Sequence, residues 1–142
     1  MAARSEIEAE APDLTGLARG LFEAHVHKTL ATLRRDGSPR ISGTEMEFAD
    51  GEVRFGSMEN AVKALDLQRD PRFALHSGSE DPPGWPGDAK IAGRAQEIDH
   101  PDDHHLFRAD ISELVVVRLN EARDKLIVES WHPGRGVSRL ER

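Results

Sequence analysis

The 142-residue chain contains no cysteine, and this absence excludes several chemistries at once. Without thiols the protein can form no disulfide, no thiolate nucleophile, and no sulfur-ligated zinc or iron–sulfur site. Long apolar runs are missing too, because no stretch approaches the roughly 20 apolar residues that a membrane-spanning helix needs. We therefore expect a cytoplasmic protein that does not enter a membrane.

Positive charge is scarce: 19 lysines and arginines face 26 acidic residues, for a net charge of -7. Nucleic-acid-binding proteins depend on basic side chains that displace counterions from phosphates, so we expect no DNA or RNA partner. The first thirteen residues lack an apolar stretch and hold several acids, which predicts that they are not a secretory signal. These acids are Glu6, Glu8, Glu10 and Asp13.

Common catalytic motifs are also missing. The chain has no Gly-x-Ser-x-Gly turn and no glycine-rich Walker loop, so nucleophilic catalysis and P-loop nucleotide chemistry have no support. Redox chemistry would then belong to a bound cofactor, which the protein orients and tunes. For this reason the sequence assigns no catalytic acid or base.

What the sequence does contain is a series of short strand-like segments. We expect a flexible tail over residues 1–11 and one domain over 12–142, where the helical spacing of apolar residues begins at Pro12. The pattern predicts strands at 28–33, 40–48, 52–57, 72–76, 88–98, 111–119 and 125–131, and short helices at 60–70 and 99–107. This order predicts a mainly β fold, a small barrel with short helices at its open ends.

Three segments, taken in order, resemble the core of the pyridoxamine 5′-phosphate oxidase-like superfamily. They are Ala31–Arg40, Val53–Ser57, and Lys63 placed ahead of Asp70-Pro71. The resemblance implies a split β-barrel of the FMN-binding type that works as a homodimer, with the cofactor in a groove between two barrels. A homodimer also agrees with a small barrel with few aromatic residues, whose apolar flank needs cover.

The resemblance also implies site residues by position. Ser57 would offer its hydroxyl and amide to the FMN phosphate, Lys63 would supply a positive charge, and Arg40 is the next basic candidate. Asp88 stands where the oxidases place a glutamine against the flavin ring. Trp131 lies where a strand would leave the barrel rim and a ring could stack on it.

The resemblance implies a flavin-dependent oxidoreductase that moves hydride between bound FMN and a small unidentified substrate. An F420-dependent reductase is an alternative, with Arg34, Arg35 and Arg40 facing the cofactor's polyglutamate tail. A non-catalytic flavin- or haem-binding protein is another, and so is a barrel that has lost its cofactor and serves as an interaction module. Val62, which replaces an oxidase arginine, and Asp88 keep these last two open.

A cluster of histidines between residues 100 and 105 has the composition of a metal site, but its pattern does not support one. His100 and His104 are spaced i, i+4, and His105, Asp102 and Asp103 are near them in sequence. A helix start rich in aspartate and histidine is usually solvated, and no further ligand is identifiable, so we expect no bound metal. His25 and His27 are interpreted as surface or packing residues.

Overall fold

The computed structural model describes residues 2–99 and 103–142, and within them the chain forms a mainly antiparallel β fold with short helices. This confirms the predicted fold class. The helices are α1 (Arg4–Glu10), α2 (Pro12–Glu23) and α3 (Val62–Arg69). The strands are β1 (Lys28–Leu33), β2 (Pro39–Thr44), β3 (Met46–Ala49), β4 (Glu52–Ser57), β5 (Arg72–His76), β6 (Asp88–Glu97), β7 (His105–Leu119), β8 (Leu126–His132) and β9 (Gly136–Glu141).

All nine strands belong to one sheet whose main path runs β2-β1-β5-β6-β7-β4-β3, with β8 and β9 added beside β7. β2 and β3 therefore lie at opposite ends of the path, although only Glu45 separates them in the chain. The sheet must curl until its two ends meet, which makes a barrel. Across this join the Thr44 hydroxyl donates a hydrogen bond to the carbonyl oxygen of Gly56 at 3.2 Å.

The helices cover one end of the barrel and one flank. α1 and α2 bury Ile7, Leu14 and Phe22 against the sheet, while α3 packs on β1. The largest buried side chains in the core include Phe55, Phe107 and Trp131. Among the described residues, no helix is long and apolar enough to cross a membrane.

A bend in the longest strand pair shapes the barrel wall. β6 and β7 pair along nearly their whole lengths, but the register shifts between Ala92 and Gly93. A Cβ atom at Gly93 would overlap the carbonyl oxygen of Asp110 and lie 2.9 Å from its carbonyl carbon. Only glycine fits there, because the opposing backbone fills the space that a side chain would need.

The structure differs from the sequence expectations at both ends of the chain. Residues 4–10, expected as part of a flexible tail, form α1, because Ile7 is buried in the core and Ala2 bridges to Ile111 in both directions. Beyond the last predicted strand, the chain turns back and adds β9 to β8.

Two internal segments also differ. The expected strand 40–48 is divided at Glu45, since β2 pairs with β1 and β3 pairs with β4. The expected helix 99–107 is partly outside the described residues, but His105 and Phe107 belong to β7. Pairing with β4 on one side and β6 on the other overrides the helical spacing of the histidines.

We predict that Gly93→Ala lowers the free energy of unfolding by about 1–3 kcal/mol, the usual cost of forcing an extra carbon into a packed site. Urea denaturation followed by circular dichroism measures this loss. Gly84→Ala is the control, because a Cβ there meets nothing within 4 Å. Equal stabilities for the two variants would contradict the steric account of the bend.

Candidate functional site

A cleft of about 740 Å³ opens at the join between the two ends of the sheet. It is bordered by the end of β2, by β3 and β4, by the start of α3 and by the residues that lead into β7. Its lining comprises His27, Gly43, Thr44, Glu45, Met46, Glu47, Arg54, Phe55, Gly56, Ser57, Met58, Lys63, His104 and Leu106. This volume lies in the range of small-molecule and cofactor pockets.

The division of the strands at Glu45 explains why the cleft is there. β2 and β3 separate at this residue to pair with different neighbours, which leaves an open surface between them. Gly43 lines this surface with open space where a side chain would be, so the backbone itself forms part of the floor. A ligand can therefore approach main-chain atoms directly.

Lys63 is the basic residue that the cleft leaves without an acidic partner. Its Nζ atom donates a hydrogen bond to the carbonyl oxygen of Gly43 at 2.7 Å, and none of the described carboxylates is paired with it. Burial lowers the pKa of Lys63 from its ordinary value, and no nearby acid offsets that loss of hydration. An anion bound beside Nζ would restore the missing stabilisation of the charge.

Arg54, the other long basic side chain of the cleft, is already paired with carboxylates. Arg54 donates through Nε to Glu52 at 3.0 Å and lies 3.3 Å from Asp50, and its pKa is raised by the hydrogen bond to Glu52. Glu45 and Glu47 line the cleft near β3. The electrostatics therefore favour an anionic group at the Lys63 end and disfavour one at the β3 end.

The segment between β4 and α3 is fixed by His105. Its Nδ1 atom lies 2.6 Å from a carboxylate oxygen of Glu97, and its Nε2 atom accepts the backbone N–H of Asn60 at 3.2 Å. This arrangement requires a neutral imidazole with the proton on Nδ1. It holds the turn that follows Ser57, whose hydroxyl makes a long 3.4 Å bond to the Met58 carbonyl oxygen.

Helix α3 is anchored by Asp66, whose residue surface is only 2% exposed. The carboxylate accepts hydrogen bonds from Thr32 at 2.8 Å, from Arg40 at 2.7 Å and from Arg69 at 3.0 Å. Burial alone would raise the pKa of Asp66, but these three donors together lower it. The ionised carboxylate thus ties α3 to β1 and β2, and so fixes the position of Lys63.

The structure brings together two of the five residues that the sequence suggested for a cofactor. Ser57 and Lys63 both line the cleft, whereas Arg40 is bound to Asp66 and lines a different cleft. Asp88, at the start of β6, accepts a hydrogen bond from the Trp85 indole at 3.2 Å and lies outside both.

The sequence suggested Trp131 at the barrel rim, where a flavin ring could stack on it, but the structure buries this residue. Its side chain is 1% exposed, packed in the core on β8, and its indole N–H donates to Glu10 at 3.3 Å. A buried ring has no face left for a flavin. The unexpected contact comes from the end of α1, the segment that the sequence suggested was a tail.

Sequence reasoning missed several lining residues, among them His27, Thr44, Glu45 and His104. His27, expected to be a surface or packing residue, lines the cleft, and its Nε2 atom lies 3.9 Å from a carboxylate oxygen of Glu45. A signal was present in Ser42 to Glu45, where small and polar residues interrupt the strand pattern. If this interruption is interpreted as the end of one strand and the start of another, it predicts an open sheet edge at these residues.

The histidine-rich segment lies partly outside the described residues, since His100 and Asp102 fall in the gap between 99 and 103. Within the described residues, no group of three or more histidine and acidic side chains is arranged to hold a metal ion. The nearby imidazole of His105 is instead occupied by Glu97 and Asn60.

Comparison with protein families gives one clear match: the model for pyridoxamine 5′-phosphate oxidase matches residues 14–135. The chain belongs to the pyridoxamine 5′-phosphate oxidase family. The matched region includes every strand that borders the cleft. No curated protein matches the chain significantly by sequence.

Solved structures support the same fold for this member of the pyridoxamine 5′-phosphate oxidase family. One is an FMN-binding protein from Nostoc punctiforme, related to pyridoxamine 5′-phosphate oxidase, with 13% identity, a TM-score of 0.65, and coverage of 92% of this chain and 93% of that one. Another is a haem-binding protein from Mycobacterium smegmatis, with 13% identity, a TM-score of 0.62, and coverage of 92% and 88%. A third is an F420 reductase, with 16% identity, a TM-score of 0.55, and coverage of 68% and 94%. At these identities the likeness establishes the split-barrel fold.

We predict that Asp66→Asn lowers the free energy of unfolding at neutral pH by about 1.5–3 kcal/mol, because it removes the charge from hydrogen bonds to two arginines. The pKa of Asp66 is lowered by folding, so its stabilisation is present at neutral pH and is lost as the pH falls below the ordinary value of 3.8. The difference in the free energy of unfolding between wild type and Asp66→Asn should therefore become smaller in acid. Chemical denaturation at several pH values measures it.

Asp36→Asn is the matched control, since Asp36 is exposed on the β1–β2 turn and accepts hydrogen bonds from Ser38 that an asparagine can keep. Asp36→Asn should lower the free energy of unfolding clearly less than Asp66→Asn does. A gap for Asp66→Asn that stays constant down to low pH would mean that the carboxylate is not the anchor of α3.

Proposed function

We propose that this protein is a flavin-dependent oxidoreductase that holds FMN in the cleft at the sheet join and works on a small substrate in the cytoplasm. The observation that carries the proposal is the state of Lys63. Its partly buried ammonium faces a neutral carbonyl and lacks a carboxylate partner among the described residues. Such a cation is suited to a phosphate monoester.

The residues beside Lys63 fit the phosphate of FMN. Ser57 ends β4 next to the turn that leads into α3, and its hydroxyl is weakly engaged, so it can rotate toward a new acceptor. Gly43 leaves the neighbouring backbone uncovered. Bound FMN supplies the hydride chemistry, while the protein binds its phosphate, excludes water and orients the ring.

The acidic residues at the other end of the cleft support one orientation. Glu45 and Glu47 would repel a phosphate near β3, so its favoured position is beside Lys63. In this proposal Arg40 does not contact the phosphate directly, because Asp66 holds it on the far side of α3. Its role is to keep α3 in place.

We also propose that the working form is a homodimer. Ile41 on β2 is 74% exposed and Met58, beside the cleft, is 81% exposed, so apolar surface adjoins the candidate site. Asp88 lies outside the cleft of its own chain, and would contact the cofactor only as the contribution of a second copy. Sedimentation velocity at micromolar concentration should give the mass of a dimer. A monomer in the presence of saturating cofactor would rule this assembly out.

Two other cofactors are the alternatives. The likeness to an F420 reductase supports the deazaflavin F420, whose phosphate would use the same Lys63 site. The likeness to a haem-binding protein supports haem, and His27 and His104 are cleft residues of the type that ligates haem iron. Titration of the purified protein with FMN, F420 and haemin, followed by fluorescence and visible absorption, separates the three.

We predict that Lys63→Ala weakens FMN binding about ten- to a hundredfold, because one charge-assisted contact is lost. Quenching of FMN fluorescence gives the dissociation constant. Rising salt should narrow the difference between wild type and variant by screening the charge.

Lys125→Ala is the control, since Lys125 is exposed beside β8, which pairs with residues 114–119 of β7, whereas the cleft is bordered by the start of that strand. Both variants should unfold at nearly the same urea concentration. If Lys63→Ala binds FMN as tightly as wild type, the phosphate does not sit at this lysine and the proposed site is wrong.

A further inference from the structure

A second cleft, of about 460 Å³, lies on the other side of the start of α3. Its lining residues do not overlap with those of the first cleft, although consecutive residues of α3, Val62 and Lys63, line one cleft each. The lining comprises Arg34, Arg35, Asp36, Arg40, Val62, Leu65, Asp66 and Arg69. We call it the arginine cleft.

The arginine cleft is a positive region on an acidic protein. Four arginines and two aspartates line it, which leaves two positive charges, while the whole chain carries a net charge of -7. Charge of this sign concentrated in a concave surface attracts anions and focuses their approach.

The two aspartates offset only two of the four arginine charges, and both aspartates are already held by other contacts. Asp66 is buried and paired with Arg40 and Arg69, so these guanidinium groups are held in place by a fixed carboxylate. Asp36 accepts two hydrogen bonds from Ser38 through the same oxygen and shapes the β1–β2 turn.

Arg34 and Arg35, the exposed pair on that turn, make no salt bridge with either aspartate, although Asp36 is near enough to Arg34 for their charges to interact. The backbone of Arg34 is itself fixed, because its N–H donates to the Ser38 carbonyl oxygen at 2.8 Å and its own carbonyl accepts from Gly37 at 2.9 Å. The Arg34 side chain therefore starts from a fixed point of the cleft lining.

Helix α3 also contributes apolar surface to the cleft. Val62 is 51% exposed and Leu65 is 45% exposed, one helical turn apart on the face of α3 that borders the arginines. A site that combines guanidinium groups with exposed aliphatic side chains matches a ligand with an anionic head and a short apolar body.

We propose that the arginine cleft binds a small organic phosphate, with its phosphate on Arg34 and Arg35 and its carbon skeleton against Val62 and Leu65. Planar guanidinium groups bind phosphate oxygens in pairs, which lysine cannot do. The excess of two positive charges matches a phosphate monoester dianion. This site is separate from the Lys63 cleft and does not depend on the proposed flavin.

Phenyl phosphate is the probe, because it joins a phosphate monoester to an apolar ring. Isothermal titration calorimetry at low salt should show saturable binding to the wild-type protein, tighter than that of inorganic phosphate. The double variant Arg34→Gln/Arg35→Gln should bind phenyl phosphate at least tenfold more weakly, since both free guanidinium groups are gone. Arg34→Lys/Arg35→Lys should show a smaller loss, as charge remains without the planar fork.

Two controls separate this site from the Lys63 cleft and from a general charge effect. The phenyl phosphate binding that Arg34→Gln/Arg35→Gln removes should persist in Lys63→Gln, in which any binding of the probe at the Lys63 cleft is weakened. Leu65→Ser should reduce the preference for phenyl phosphate over inorganic phosphate and leave inorganic phosphate binding as it was. Both arginine residues are exposed, so the double variant should keep the unfolding midpoint of wild type.

Three results would overturn the inference. The first is equal binding by wild type and the double glutamine variant, and the second is no saturable binding at all. The third is a loss of binding in Lys63→Gln alone, which would place the phosphate in the first cleft and support the flavin proposal instead. A positive result with the arginine variants would stand even if FMN did not bind.

Discussion

The buried carboxylate of Asp66 is the interaction on which both clefts depend. It accepts hydrogen bonds from β1, β2 and α3 through Thr32, Arg40 and Arg69. Helix α3 has only eight residues and no side-chain cap at its start, so it is too short to be stable through its own hydrogen bonds. The ion pairs and the packing on β1 hold it, and thereby place Lys63 over one cleft and Val62 over the other.

The site also depends on the separation of β2 from β3 at a single residue. Two ends of one sheet meet there, and the Thr44 hydroxyl bonds to the Gly56 carbonyl across the join. Polar backbone near such a join is less covered than in the barrel wall, where each strand has a neighbour on both sides. This is why the first cleft forms where β2, β3 and β4 meet.

Much of the fold could be predicted from the sequence because strand and turn signals are local. The bounds of β1, β4 and β5 match the expected ones, and α2 begins at Pro12 as its apolar spacing indicates. The failures involve partners that no local pattern reveals. Residues 4–10 form a helix because Ile7 packs in the core. His105 and Phe107 belong to β7 because β4 and β6 pair with this strand on its two sides. The Trp131 indole bonds to Glu10, which is 121 positions away in the sequence. For the candidate site, the motif spacing indicated Ser57 and Lys63, but the division of a strand at Glu45 follows from long-range pairing alone.

The same topology has a consequence for how the protein folds. β4 pairs with β7 only after the chain has passed through α3, β5 and β6, so the walls of the first cleft come from segments far apart in sequence. Closing so long a loop has an entropic cost that must be met before the contacts of the join form. The hairpin of β1 and β2 can form early, whereas the cleft is complete only when the two ends of the sheet meet. A ligand that bridges this join would bind the closed barrel alone, and would therefore slow its opening.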